Sequence, residues 1–507
     1  MDAPARPHIV LFNPDQWRSD ALGHLGNPAA RTPVLDALVQ TDAVSFRNAF
    51  CQNPVCTPSR CSFMTGWYPH VRGHRTMFHM LGPDEPCLLS SLKDAGYHVF
   101  WGGKNDLVRL STGFAPYCDV KYTPPEPVRP MWAMDREATW RGSPGSDSYY
   151  SFQVGRLDAA DPNHDLDHIH DHYTDHIHYH DSDWANVLGA IDQVRTRPPD
   201  KPLCLYLPLT YPHPPYAVED PWFSAIDRAA LPPRIPATPD PATKPSILAG
   251  IRDRQNLQDW SEDRWDELRA TYLGMGARVD TQFGMLMEAL KDAGIYDDTL
   301  VIVFSDHGDY TGDYGIVEKT QNTFEDCLTR VPLIVKPAQG MAIRPGIRDA
   351  LVELIDIPAT VEAATGIAPG HTHFGHSLLP LVAGGTDRHR DAVFCEGGRL
   401  PGEGHASEAA SPGASDPANL YWPRVNLQVI DPVAHTKAIM CRTATHKYVR
   451  RLAERDELYD LTADPYEEHN RIDDPALAPV QRSLQDRLLT HLLETADVVP
   501  HRIDPRH

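Results

Sequence analysis

Two kinds of apolar pattern alternate along the chain. Short, almost unbroken apolar runs occur at His8–Asn13, Tyr97–Trp101, Pro202–Leu209, Thr299–Phe304 and Arg330–Val335. Continuous rather than alternating hydrophobicity predicts strands covered on both faces, as in a parallel sheet. Between them lie stretches with a helical period: a segment opened by Thr32-Pro33, then Leu88–Ala95 closed by Gly96, Asp183–Val194, and Trp260–Gly294 with Tyr272, Met275, Val279 and Phe283 on one face. This order predicts an α/β fold, a large mostly parallel sheet sandwiched by helices.

Beyond Gly385 the pattern changes. A Gly/Ala/Ser/Pro-rich loop at Gly402–Asn419 is flanked by short strand patterns at Ala392–Cys395, Thr436–Cys441 and Tyr448–Arg451, and an amphipathic helix closes the chain at Ala478–Thr495. We therefore divide the chain into an α/β unit, 1–385, and a smaller C-terminal α+β unit, 386–507. Residues 108–181, rich in Pro, Asp, Tyr and Trp, have no clear period and are expected to form an insertion over the face where ligands bind. Within them, His164, His168, His172, His176 and His180 recur every fourth residue, with His170 and His178 between. On a helix that spacing makes one drifting stripe. It could serve as a metal-binding stripe, as a solvated helix or lid, or as the source of a substrate-contacting histidine.

With 507 residues the chain can bury a large core and more than one domain. The formal charge of −22 argues against nucleic acid and long polyanions as partners, while a small anion in a locally positive pocket stays compatible. No apolar run reaches the roughly 18 residues needed to span a bilayer. The segment before the first strand lacks the pattern of a secretory signal, and the nine cysteines include no C-x-x-C pair. The expected location is the cytoplasm, where thiols stay reduced.

The candidate chemistry is concentrated in Asn53–Gly66, which contains Cys56-Thr57-Pro58-Ser59-Arg60-Cys61. Thr57 can cap a helix, Pro58 suits its first turn and Gly66 can end it. Cys56 would then stand just before a helix N-terminus that favours an anion, with Arg60 one turn later reaching back to the same anion. Other candidates follow the predicted strands, where ligands of open α/β sheets collect: Asp15 and Gln16 after the first, Lys104 and Asp106 after the second, His213 between prolines after the third, and Asp306 and His307 after the fourth.

The string from Cys56 to Gly66 resembles the C-x-P-S-R signature of the type I sulfatases, in the alkaline phosphatase superfamily. Similar motifs recur: Thr32–Leu38 (T-P-x-L-D-x-L), Gly103–Leu107 (G-K-x-H-L, with Asp106 in the histidine position), Pro212–Tyr216 (P-H-x-P-[YF]), Ser305–Gly308 (S-D-H-G), Gly315–Lys319, and Glu457–Leu461 (E-L-Y-D-L). Asp15-Gln16-Trp17-Arg18 looks more like the neighbouring phosphonate monoester hydrolases.

The resemblance implies that Cys56 is oxidised to formylglycine by a formylglycine-generating enzyme. It implies that Asp15, Gln16, Asp306 and His307 hold one divalent cation, usually Ca²⁺. A nitrogen from His307 and the loss of a charge at Gln16 keep Mn²⁺ or Zn²⁺ open. Arg60, Lys104, Lys319 and His213 would surround the substrate oxyanion. His213 or a lysine would protonate the leaving alcohol, and Asp106 would assist the second step. The implied reaction is hydrolysis of a small-molecule or saccharide sulfate monoester. The alternatives are a phosphonate monoester hydrolase or phosphodiesterase with the same site, and a non-catalytic anion- or metal-binding protein. A homo-oligomer is compatible with all three.

Overall fold

The computed structural model describes residues 6–124, 168–170, 177–179, 181–238, 243–417 and 419–501. Its strands, in chain order, are β1 (His8–Asn13), β2 (Val44–Phe50), β3 (His98–Gly102), β4 (Val120–Tyr122), β5 (His168–His170), β6 (Ile177–Tyr179), β7 (Leu203–Pro208), β8 (Thr299–Phe304), β9 (Arg330–Val331), β10 (Leu333–Lys336), β11 (Gly346–Glu353), β12 (Val393–Gly397), β13 (Ala438–Arg442), β14 (His446–Arg451) and β15 (Glu457–Asp460). The main sheet runs β11-β2-β10-β8-β1-β7-β3-β4, with β9 paired to β2. The pairs joining β8, β1, β7, β3 and β4 are parallel, and β11 runs parallel to β2, while β10 is antiparallel to both of its neighbours.

The continuous apolar runs are explained by burial on both faces. In β1, Val10 and Phe12 enter one core cluster and Ile9 and Leu11 the other. In β8, Val301 and Val303 face the first and Leu300, Ile302 and Phe304 the second. Side chains alternate across a strand, so such a strand needs no polar face. The first cluster takes apolar residues of the helices Ser182–Thr196 and Glu262–Asp292, and the second takes those of Cys56–Thr65 and Leu88–Asp94. The sheet is thus covered by helices on both sides, as expected.

Several elements differ from the sequence reading. The run expected at Arg330–Val335 is two strands, because Pro332 between them has no N–H to give a ladder. The unread strands β2 and β11 lie toward one sheet edge and carry Arg47, Asn48, Arg348 and Asp349, which break the apolar pattern. β4 falls inside the expected insertion yet pairs with β3 in the main sheet. The histidine-rich stretch is not a helical stripe where it is described: β5 and β6 pair antiparallel. The alternation His-Ile-His there is a two-residue period, and it overrides the four-residue spacing. His164, His172, His176 and His180 lie outside the described residues.

After the main sheet, β12, β13, β14 and β15 form an antiparallel sheet in sequence order. The helix Ala478–Thr495 lays Leu484 and Leu488 on Cys441, Tyr448 and Leu458 of this sheet. No described helix is long and apolar enough to cross a membrane.

Candidate active site

Four parallel strands, β8, β1, β7 and β3, end along the same edge, so the loops after them meet there. The β1 loop brings Asp15 and Gln16, the β3 loop Lys104 and Asp106, the β7 loop His213, and the β8 loop Asp306 and His307. The helix Cys56–Thr65 completes the cluster and is buried along its whole length.

That helix starts two residues earlier than the sequence suggests. Cys56 is its first residue and the extended Val55 its N-cap. Asn53 Oδ1 accepts the Val55 N–H at 3.0 Å, while Thr57 Oγ1, the expected cap, has no partner. Pro58 is tolerated anywhere in a first turn, since those N–H groups have no acceptor, so it fixed the start only to within a turn. Gly66 ends the helix at φ 72°, as expected.

Cys56 Sγ lies 3.2 Å from His307 Nε2 and 3.8 Å from Asp15 Oδ1. One ligand atom from each of Asp15, Cys56, Asp306 and His307 falls within 4.8 Å of the others, all buried. The Gly308 carbonyl, 2.9 Å from His307 Nδ1, can only accept, so Nδ1 carries the proton and Nε2 turns a lone pair to the cluster. Asp306 Oδ2 is 2.8 Å from Arg60 but accepts no hydrogen bond. Two carboxylates, an imidazole lone pair and an unsatisfied buried oxygen fit a divalent cation. Burial and the nearby Asp15 charge push the Cys56 thiol far up, so the unmodified side chain is a protonated thiol at neutral pH.

Arg60 departs from expectation. Its Nη2 is 2.7 Å from Asp15 Oδ2 and 2.8 Å from Asp306 Oδ2, and its Nη1 donates to Asn13 Oδ1 at 3.1 Å. The guanidinium therefore spans two carboxylates instead of facing a free anion; these were the nearest negative groups within its reach. Burial works against the Asp15 charge, but Lys104 and Arg60 outweigh it and hold the carboxyl well below the usual range.

Gln16 also differs. Its φ is 64°, and its side chain donates to Asp309 Oδ2 at 2.5 Å and accepts from Lys319 Nζ at 2.7 Å. What it gives the carboxylates is a backbone N–H, 3.0 Å from Asp306 Oδ1. Lys104 Nζ meets Asp15 Oδ2 at 2.7 Å and Asp106 Oδ2 at 3.1 Å, so Asp106 is a partner of Lys104. Lys319 Nζ reaches Gln16 Oε1, Glu318 Oε1 at 2.6 Å and His213 Nε2 at 3.0 Å.

His213 stands in a loop that Asp183 grips from below, accepting the N–H groups of Thr210 and Tyr211 at 2.8 Å each. All ten expected residues therefore gather around one centre, although Arg60, Gln16 and Asp106 face other partners than expected. Sequence reasoning missed Asp183, Asp309, Glu318 and Tyr421. Asp309 stood in the Ser305–Asp309 run and Glu318 beside Lys319. Nothing in the pattern marked Tyr421, whose hydroxyl lies 3.3 Å from His213 Nε2 although it comes from the C-terminal unit.

The sequence model of the family described as Sulfatase matches residues 7–367. The multifunctional alkaline phosphatase superfamily protein PehA of Trinickia caryophylli is 25% identical over 527 residues, covering 97% of this chain and 96% of its own length. The choline-sulfatase of Rhizobium meliloti is 27% identical over 488 residues, covering 93% and 83%. Among solved structures, the phosphonate monoester hydrolase of Agrobacterium radiobacter superposes with a TM-score of 0.72 at 21% identity, over 98% of this chain and 100% of that one.

Proposed function

We propose, for a chain that belongs to the sulfatase family and is a hydrolase of sulfuric esters, that the Cys56 cluster is its catalytic centre, carrying formylglycine at residue 56 and one divalent cation. The observation that carries this reading is the convergence of Cys56, Asp15, Asp306 and His307, within 4.8 Å, at the first turn of a buried helix. When present, the cation on Asp15, Asp306 and His307 supplies a Lewis acid for the sulfuryl group, and the hydrated aldehyde at residue 56 supplies the attacking oxygen.

The chain's own residues do the rest. Arg60 balances Asp15 and Asp306, so the two carboxylates stay ionised in a dry site. An ammonium has three donors; Lys104 gives one to Asp15 and pairs with Asp106, and a donor remains for a sulfuryl oxygen. Lys319 fixes Gln16 and His213 relative to each other. Water is excluded because Cys56, Asp15, Asp306 and His307 are buried, which strengthens every charge interaction at the transition state.

Ca²⁺ is the expected ion, and the nitrogen of His307 also suits Mn²⁺ or Zn²⁺. The substrate is a sulfate monoester of a small molecule or a saccharide. All nine cysteines are unpaired and buried, which supports a reducing compartment and maturation of Cys56 by a formylglycine-generating enzyme there. We keep the division at residue 385, with the reach of Tyr421 into the centre making one site from both units.

A second reading, hydrolysis of phosphonate monoesters, is favoured by the Asp15-Gln16-Trp17-Arg18 and Pro212-His213-Pro214-Pro215 stretches, which look like those enzymes. Turnover of p-nitrophenyl sulfate and of a phenylphosphonate monoester, measured side by side, decides between them. We expect the larger kcat/KM for the sulfate; an equal or larger value for the phosphonate overturns the sulfatase reading.

A further inference from the structure

We propose that Tyr421 is the general acid that protonates the leaving oxygen. The proposal rests on the hydrolytic reading of the Cys56 cluster and replaces the expectation that His213 or a lysine does this work.

Hydrogen-bond partners fix where the protons lie. His213 Nδ1 lies 2.6 Å from the Pro214 carbonyl, which can only accept, so Nδ1 carries a proton. His213 Nε2 lies 3.0 Å from the Lys319 ammonium, which can only donate, so Nε2 is a bare lone pair. The ring therefore has no proton to give at the atom that faces the cluster. Burial, with Lys319 and Lys104 close by, holds the imidazole well below its ordinary value, in keeping with the neutral form.

Lys319 is no better placed. Its ammonium donates to Gln16 Oε1 and meets His213 Nε2, and it forms a buried ion pair with Glu318 Oε1 at 2.6 Å, which holds its charge in place. Lys104 donates to Asp15 Oδ2 at 2.7 Å and pairs with Asp106 Oδ2 at 3.1 Å, so two carboxylates hold its charge in place. An ammonium fixed in this way suits a sulfuryl oxygen, where a hydrogen bond and no transfer is needed.

Tyr421 differs from all of these. Among the described residues its hydroxyl makes one long contact, 3.3 Å to His213 Nε2, and none to a carboxylate. The residue is half-buried, whereas Cys56 is 1% exposed, so Tyr421 stands nearer solvent than the residue that attacks. Burial lifts the phenol to about 12, against the pull of Lys319 and Lys104. It thus keeps its proton at neutral pH and still remains a stronger acid than an alkyl alcohol. The Lys319 ammonium, 5.8 Å from the ring centroid, stabilises the phenolate that follows.

As the bond from sulfur to the ester oxygen breaks, its electron pair stays on that oxygen, which takes the proton from Tyr421 Oη. The alcohol leaves neutral, and the phenolate on the half-buried Tyr421 recovers a proton from solvent. A leaving group that is already a weak base needs no such help.

The test is Tyr421→Phe in the mature enzyme, with kcat/KM measured on p-nitrophenyl sulfate and on an alkyl sulfate. We expect a loss of about 100-fold or more on the alkyl ester and less than about threefold on the p-nitrophenyl ester, the size of general acid catalysis. Equal losses on both esters, or an unchanged alkyl rate, overturn the proposal. Phenylalanine keeps the ring, and an unchanged melting temperature shows that its packing is kept. The same two leaving groups on phosphonate monoesters give the same readout if the wild type prefers that class, so a wrong ester class and a wrong acid produce different results.

Discussion

Arg60 Nη2 lies 2.7 Å from Asp15 Oδ2, and both side chains are wholly buried. Such a pair is expensive to break, because the surviving charges cannot reach water; removing one partner costs about 3–5 kcal/mol. Arg60→Met should therefore lower stability by an amount of that order. Asp15 and Asp306 would be left facing each other, so a divalent cation should restore part of the loss. Melting temperatures with and without added Ca²⁺ or Mn²⁺ check this. A variant as stable as the wild type, and indifferent to cations, would remove Arg60 from the role assigned to it.

Asp183 positions the loop that carries His213 by accepting two backbone N–H groups. Asp183→Asn puts an NH₂ group where one of the acceptor oxygens stands. We expect kcat to fall by about 10- to 100-fold, the cost of a small misplacement of a catalytic loop. Circular dichroism should show the fold retained. A kcat within error of the wild type would contradict the gripping role.

Gln16 is held by Asp309 through a 2.5 Å contact from its amide nitrogen. Gln16→Glu replaces that donor by an acceptor and sets two carboxylates against each other. Stability should drop by about 1–3 kcal/mol, the cost of leaving a buried polar group without its partner. Urea unfolding of the two proteins measures it. The variant should also bind its cation differently, since Lys319 would gain a charged partner in place of Gln16 Oε1.

His74 offers a pH test away from the cluster. Its Nε2 is 3.1 Å from Glu85 Oε1, and its Nδ1 donates to the His79 carbonyl at 2.8 Å. Burial opposes its charge, but Cys61 and Glu85 outweigh burial and lift it to about 10. A histidine raised in the folded state stabilises fully below its unfolded value of about 6.5 and loses that contribution as pH rises through about 10. The stability gap between wild type and His74→Gln should therefore be wide at about pH 6 and narrow by about pH 10. A gap that widens with pH would contradict the assignment.

How legible the molecule was depends on which force sets each feature. β1, β7 and β8 could be read to within a residue because burial on both faces demands apolar side chains at every position. β2 and β11 could not, because Asp349 is exposed and Arg47 half-buried at that edge, and both keep their polarity. The loops of the site were legible because they follow strand ends. The directions of their side chains were not. Arg60 turned to Asp15 and Asp306, and Gln16 to Asp309 and Lys319, because long-range charges decide these contacts and no local pattern encodes them. Tyr421 reaches His213 across 208 positions of sequence, and only the packing of the C-terminal unit brings it there.

The central claim is that a thiol buried against Asp15 and His307 is matured into an aldehyde that does the chemistry. Mass spectrometry of the peptide containing residue 56, taken from protein that turns over p-nitrophenyl sulfate, tests it most directly. The account predicts the formylglycine mass at that residue in the active fraction. A fully active preparation in which residue 56 is entirely unmodified cysteine would contradict it.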